Sequence, residues 1–358
     1  MKKLEKIELL EALCAAFGPS GCEDNVADLI MQQLEGIGEM KRDRMGNVIV
    51  HLPGDGPRVM LSAHMDEVGM MIREIDDKGY LRFGNVGGID PRVQCGRAVT
   101  VGNERGQIPG VIGAKALHLQ SADERKHATE VKAMYMDIGA ASREEAERYV
   151  DLGDYAAFAS DFVRFGEDGC RLRGKAIDDR LGCAVAIETL RAMAGQARAI
   201  DLYVVFSVHE EVGKSGARTA AYAIRPDTAI VLEATAVADL PDTAAAAKVG
   251  EIGQGGLLSF VDKGAVYDAG LIDFALETAR EEGIPVQIKR YSAGTNDAAQ
   301  INRAADGART MALSAPTRYI HSGSCVADVR DFDAICALLK AMLKRPWGFI
   351  PSDTKETF

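Results

Sequence analysis

The stretch LYVVFSVHEEVGKSG, residues 202–216, decides how the rest of the chain is read. Leu202 to Val208 is apolar or β-branched almost throughout, as in a buried strand. It ends in three ionisable residues, His209, Glu210 and Glu211, followed by a glycine-containing turn. An unpartnered glutamate is costly to bury or is forced to protonate. Either the strand ends at solvent, or one glutamate holds a metal while its neighbour moves a proton. In an open α/β sheet, ligands bind at that end of the strands.

Outward from this stretch the chain alternates. Before it, 181–193 reads as a helix; after it come a short helix at 215–222 and strands at 228–234, 257–261, 286–289 and 310–313. Helices are expected at 269–282, 297–304 and 329–343. Toward the N-terminus, Leu4, Ile7, Leu10 and Phe17 fall at helical spacing, and a second amphipathic helix covers 23–34. Strands follow at 47–51 and 59–63, the second running into His64-Met65-Asp66-Glu67. The later strands are nearly continuously apolar, as in a sheet covered on both faces. Between residues 70 and 162 the texture changes to short β-like runs separated by Gly, Asp-Pro and Asn signals, with a capping-box pattern at Ser142-Arg143-Glu144-Glu145. The expected architecture is therefore α/β: a mixed sheet with helices on both faces, built from residues 1–69 and 163–358, with a small, mostly β domain inserted at 70–162.

The chain is 358 residues long with a formal net charge of −11 and no Lys/Arg block, which speaks against nucleic acid as a partner. No apolar run approaches the ~20 residues that span a membrane. Seven scattered cysteines, an odd number with no CxxC, point to a reducing, cytoplasmic setting.

Several candidate ligands stand at or just beyond expected strand ends. In His64-x-Asp66 the two side chains point the same way on extended chain, so Asp66 can orient the His64 ring. Asp178-Asp179-Arg180 precedes a helix, where acidic residues also serve the helix dipole. Glu233 interrupts the apolar run AIVLEAT, and His321 lies in the aperiodic RYIHSGS. Singly each has an ordinary structural explanation. Jointly, two histidines and several carboxylates across one sheet suit one or two zinc or cobalt ions.

The sequence resembles the glutamyl aminopeptidase/tetrahedral aminopeptidase family of two-metal metallopeptidases, which includes proteins named cellulase or endoglucanase. The resemblance covers nearly the whole chain. It is carried, in order, by DRMGNVI (43–49), AHMDEVG (63–69), VGGIDPRV (86–93), GVIGAK (110–115), DIGAASREEAE (137–147), AIDDRLGC (176–183), EEVGKSGA (210–217), AGTNDA (293–298) and RYIHS (318–322). It implies a zinc-peptidase-like fold with two divalent metal ions: His64 and Glu233 on one, Glu211 and His321 on the other, Asp178 bridging. Glu210 becomes the general acid/base, and Asp66 orients His64. It also implies a cis peptide between Asp178 and Asp179, a PDZ-like inserted domain that helps assembly, and a homo-oligomer, commonly a dodecamer built from dimers. Glu233 stands where the family more often has Asp, and His209 where an uncharged residue is commoner. Asn296 is an insertion in the usual motif, and KALH (115–118) lacks the prolines often seen there.

The expected activity is removal of N-terminal residues from short peptides. A metal-dependent deacylase of N-blocked amino acids could use the same site. A glycoside hydrolase needs two carboxylates, usually about 5–10 Å apart, and no metal; the two histidines count against it. A binding protein on the same scaffold would not need Glu210.

Overall fold

The computed structural model describes residues 3–103, 105–290 and 294–347. Helices α1 (Lys6–Ala15) and α2 (Asp24–Gln33) open the chain, followed by strands β1 (Glu39–Arg42), β2 (Val48–Leu52) and β3 (Arg58–His64). The first helix is shorter than its apolar spacing suggests, because Phe17 already lies in the following turn. Next come β4 (Gly69–Ile75), β5 (Leu81–Val86), β6 (Ala98–Asn103), β7 (Gly106–Gly113), β8 (Tyr135–Asp137), α3 (Arg143–Ala146) and β9 (Tyr155–Phe158). The remainder comprises β10 (Val163–Phe165), β11 (Arg171–Gly174), α4 (Ile177–Met193), β12 (Asp201–Ser207), α5 (Ser215–Ile224), β13 (Thr228–Ala236) and β14 (Gly256–Leu258). After these follow α6 (Ala269–Glu282), β15 (Val286–Ile288), α7 (Ala298–Ile301), β16 (Arg309–Thr317), β17 (Cys325–Asp328) and α8 (Val329–Lys344).

The large sheet has the order β1-β2-β12-β3-β13-β16-β14-β15. Its four middle strands, β12, β3, β13 and β16, run parallel, and antiparallel pairs flank them, so the sheet is mixed. β3 is buried at every position from Val59 to His64; since successive residues face opposite sides, both of its faces are shielded. Helix α4 packs on β13, β3 and β12 and touches α1 and α8, while α5 and α7 touch each other and pack on β12, β13 and β16. One core joins sheet and helices through residues such as Leu61, Val205, Ile230, Leu313, Ile187 and Leu339. Parallel strands bring their carboxyl ends to one edge, and that edge holds the site.

Strands β4 to β9 close a separate antiparallel barrel in the order β4-β5-β8-β7-β6-β9, around Met70, Ile72, Leu81, Phe83, Val101 and Met136. Ser142 caps α3 by accepting from the Glu145 amide, but the Glu145 carboxylate accepts from the Ala141 amide rather than from Ser142.

The structure also corrects several boundaries. The strand expected at 257–261 ends at Leu258, beyond which Val261 makes only an isolated bridge to Val266. The helix expected at 297–304 is the four-residue α7, with Asp297 as its cap. Strands β1, β8, β9, β10, β11 and β17 had no clear sequence signal. They are three or four residues long, too short for an alternation to register. Residue 293 of the AGTNDA motif, residues 1–2 and residues 348–358 lie outside the described residues.

Candidate metal centre

Register explains why the predicted residues meet. On β12 and β3, Ser207 lies opposite His64, so the chain leaving β12 carries Glu210 and Glu211 past the end of β3. Val231 of β13 pairs with Ser62, and Glu233 and His64 each stand two residues further on. Asp178 comes from the first turn of α4, where Asp178 and Asp179 depart from helical geometry and the peptide between them is cis. His321 comes from the loop between β16 and β17, in the left-handed region at φ +58°.

Asp178 sits between the two histidines. Its Oδ1 is 3.2 Å from His64 Nε2, and its Oδ2 is 3.3 Å from His321 Nε2. Glu233 Oε1 lies 3.4 Å from His64 Nε2, and Glu211 Oε1 lies 3.1 Å from His321 Nε2. The donors thus form two triads sharing Asp178: His64, Asp178 and Glu233, and Asp178, Glu211 and His321, with the ligand atoms of each triad within 4.8 Å of one another. Glu210 forms a third such group with His64 and Glu211.

Both rings are held by main-chain carbonyls. His64 Nδ1 is 3.1 Å from the Asp66 carbonyl and His321 Nδ1 is 2.7 Å from that of Gly88. A carbonyl only accepts, so each Nδ1 carries the hydrogen and each Nε2 faces the carboxylates. An unprotonated Nε2 has only a lone pair to offer there. It needs either a proton or a cation between it and the oxygens. This nitrogen and oxygen donor set fits divalent cations.

The protonation balance agrees. Burial disfavours the charged His321 ring, but its hydrogen bonds to Asp178 and Glu211 outweigh that and push its pKa up to about 11. His64 is likewise raised well above the usual histidine range: burial opposes this, while Glu233, Asp178 and Asp66 overcome it. Burial also opposes ionisation of Asp178, yet its bonds to His321 and His64 hold it far below the usual carboxylate range. Burial raises Glu211 and Glu233, with His321 and His64 respectively pulling back. Glu210 is pushed up to about 8, first by burial and then, against the pull of His64, by Asp297 and Glu211.

Asp66 is fully buried and does more than face His64. Its carboxylate accepts from the amides of Glu210 (3.0 Å) and Glu211 (3.1 Å) and from Ser20 Oγ (2.6 Å), while its Oδ1 stands 3.4 Å from His64 Nδ1. It therefore fixes the chain that presents both glutamates.

Three neighbours escaped the sequence reading. Lys214 Nζ lies 3.1 Å from Glu210 Oε1. Asp297 is buried behind the site and accepts from Ser207 Oγ at 2.6 Å. The barrel contributes Gly88, whose carbonyl holds His321. All three stand inside motifs that carry the family resemblance, yet nothing local in the sequence marks the Gly88 carbonyl as the partner of His321. Asp178, Glu210, Glu211, Glu233 and His321 open onto a cavity of about 360 Å³, also lined by Asp262, Lys289, Asn296 and Ser314, with His64 buried behind it. That volume suits a small molecule or the end of a peptide.

Comparison with known proteins finds relatives that match nearly the whole chain. The lysyl aminopeptidase of Pyrococcus furiosus is 36% identical over 353 residues, covering 96% of this chain and 99% of that protein. The TET aminopeptidase from the marine sediment archaeon Thaumarchaeota archaeon SCGC AB-539-E09 superposes with a TM-score of 0.92 at 34% identity, covering 95% of this chain and 96% of the other. The TET1 peptidase of Pyrococcus horikoshii, which can assemble into a tetrahedron or a large octahedral shell, gives 0.87 at 32% identity, with 96% and 100% covered. The family model for M42 glutamyl aminopeptidases matches residues 46–338, and with these likenesses it establishes that the chain is a peptidase belonging to the M42 glutamyl aminopeptidase family.

Proposed function

We propose that the protein is a two-metal aminopeptidase that removes N-terminal residues from short peptides. The observation that carries this reading is the pair of triads sharing Asp178, with Glu210 set against them. His64 and Glu233 would hold one cation and Glu211 and His321 the other, with Asp178 between; zinc and cobalt suit the donors. When bound, such cations polarise the scissile carbonyl, lower the pKa of a water and offer a docking point for a free α-amino group. Glu210 takes the proton from the attacking water and delivers it to the leaving amine. Asp66 keeps Glu210 and Glu211 in register by holding their amides, and orients His64. The cavity has room for the N-terminal residue of a peptide.

Residues 70–162 form, in this reading, an inserted PDZ-like domain that mediates assembly into a homo-oligomer, a dodecamer built from dimers. The shells of the P. horikoshii relative support this, as do the exposed Leu117 and Leu119 beyond β7. Seven free cysteines support a cytoplasmic setting.

The test is a panel of aminoacyl-anilides, blocked and unblocked at the amino group, assayed together with metal analysis. Cleavage of unblocked substrates by metal-loaded protein is expected. Preference for blocked ones would favour the deacylase reading.

A further inference from the structure

We propose that Lys214 is a positioning residue for Glu210, fixing the carboxylate that shuttles the proton; this rests on the assignment of Glu210 above. Lys214 lines the same cavity as Glu210, Asp178 and His321, and its side chain is 14% exposed. Its Nζ lies 3.1 Å from Glu210 Oε1 and 3.5 Å from the Glu210 carbonyl, so one ammonium grips both ends of the residue. Among the described residues it is the cationic side chain paired with Glu210.

The backbone enforces the contact. Gly213 donates to the Glu210 carbonyl and Lys214 to the His209 carbonyl, closing a tight turn that folds position 214 back over position 210. Lys214 sits there at φ +63°, a left-handed conformation that residues with a Cβ adopt only at a cost, immediately before α5. Exposed ion pairs contribute little, but this one is largely withdrawn from water, where a charge-assisted bond is stronger. A carboxylate on a rotatable side chain loses effectiveness when its oxygens wander by an ångström. Pinning Oε1 leaves Oε2 as the oxygen that meets the attacking water.

The experiment is a double-mutant cycle on the full-length, metal-loaded protein with an unblocked aminoacyl-anilide. Loss of one buried charge-assisted bond to a catalytic group should lower kcat of Lys214→Met about tenfold, with KM within about twofold and metal content unchanged. Lys214→Arg, which keeps the cation, should recover most of the rate. In a Glu210→Gln background, Lys214→Met should have no further effect. The proposal is overturned by an undiminished kcat in Lys214→Met, by a loss expressed in KM, or by the same loss recurring in the Glu210→Gln background. Those results would leave the Glu210 assignment standing. High activity in Glu210→Gln alone would instead remove both.

Discussion

Glu210 and Glu211 are neighbours to which the proposed chemistry gives different work. Glu211 pairs with His321 in one triad, so Glu211→Ala should lose a metal ion and activity together, with excess metal restoring part of the rate. Glu210 stands apart from that pairing, and Glu210→Gln keeps its volume while removing the base. General acid–base catalysis is worth about 10²–10⁴-fold, and a group serving both proton transfers belongs at the upper end, so kcat should fall at least roughly a thousandfold with little change in KM. More than about a tenth of the wild-type kcat in a metal-loaded sample would end the assignment. The histidines carry a second prediction. With Asp178 and Glu211 raising its pKa to about 11 against the effect of burial, His321 holds a proton at neutral pH that a cation at Nε2 must displace. Metal affinity should therefore rise with pH through the neutral range, with protons released on binding. Calorimetry in buffers of different ionisation enthalpy checks this; pH-independent binding without proton release would contradict it.

At the scale of elements, the barrel reaches the site through the turn after β5. Gly87 has φ +82°, and a Cβ there would meet Val68 Cγ1 at 2.9 Å and Glu211 Cβ at 3.2 Å. Gly87→Ala should cost about 1–3 kcal/mol locally and weaken metal binding, read by thermal unfolding and metal titration; unchanged affinity and stability would show the turn to be slack. This linkage was not legible in the sequence, because the Gly88 carbonyl and His321 are 233 positions apart. Asp66 shows the same limit. HxD spacing places its carboxylate 3.4 Å from His64 Nδ1, but its bonds to the Glu210 and Glu211 amides depend on β3 and β12 lying side by side. β11 and β17, which pair across 150 residues, are likewise invisible to local pattern. What could be read was whatever the local period encodes: the buried strands β3, β12, β13 and β16, the helix α6 to its last residue, and carboxylates at the ends of apolar runs. His321, in a loop without periodicity, is only one candidate among several in the sequence, and its place on a particular metal comes from the family resemblance alone.

For the molecule as a whole, an antiparallel barrel stands beside the mixed sheet and borders the candidate ligands through Val68, Gly88 and Phe158. Assembly is the work proposed for it. Light scattering at micromolar protein should give a mass several times the 38.4 kDa of one chain. A stable, fully active monomer with metal present would remove the assembly reading without touching the chemistry. The chemistry is tested most directly by titrating metal-free protein with zinc or cobalt while following bound ions and cleavage of an unblocked peptide. The two triads around Asp178 predict no cleavage without metal and a rate that saturates at two ions per chain. Undiminished cleavage by the metal-free protein, or saturation at a single ion, would contradict the account.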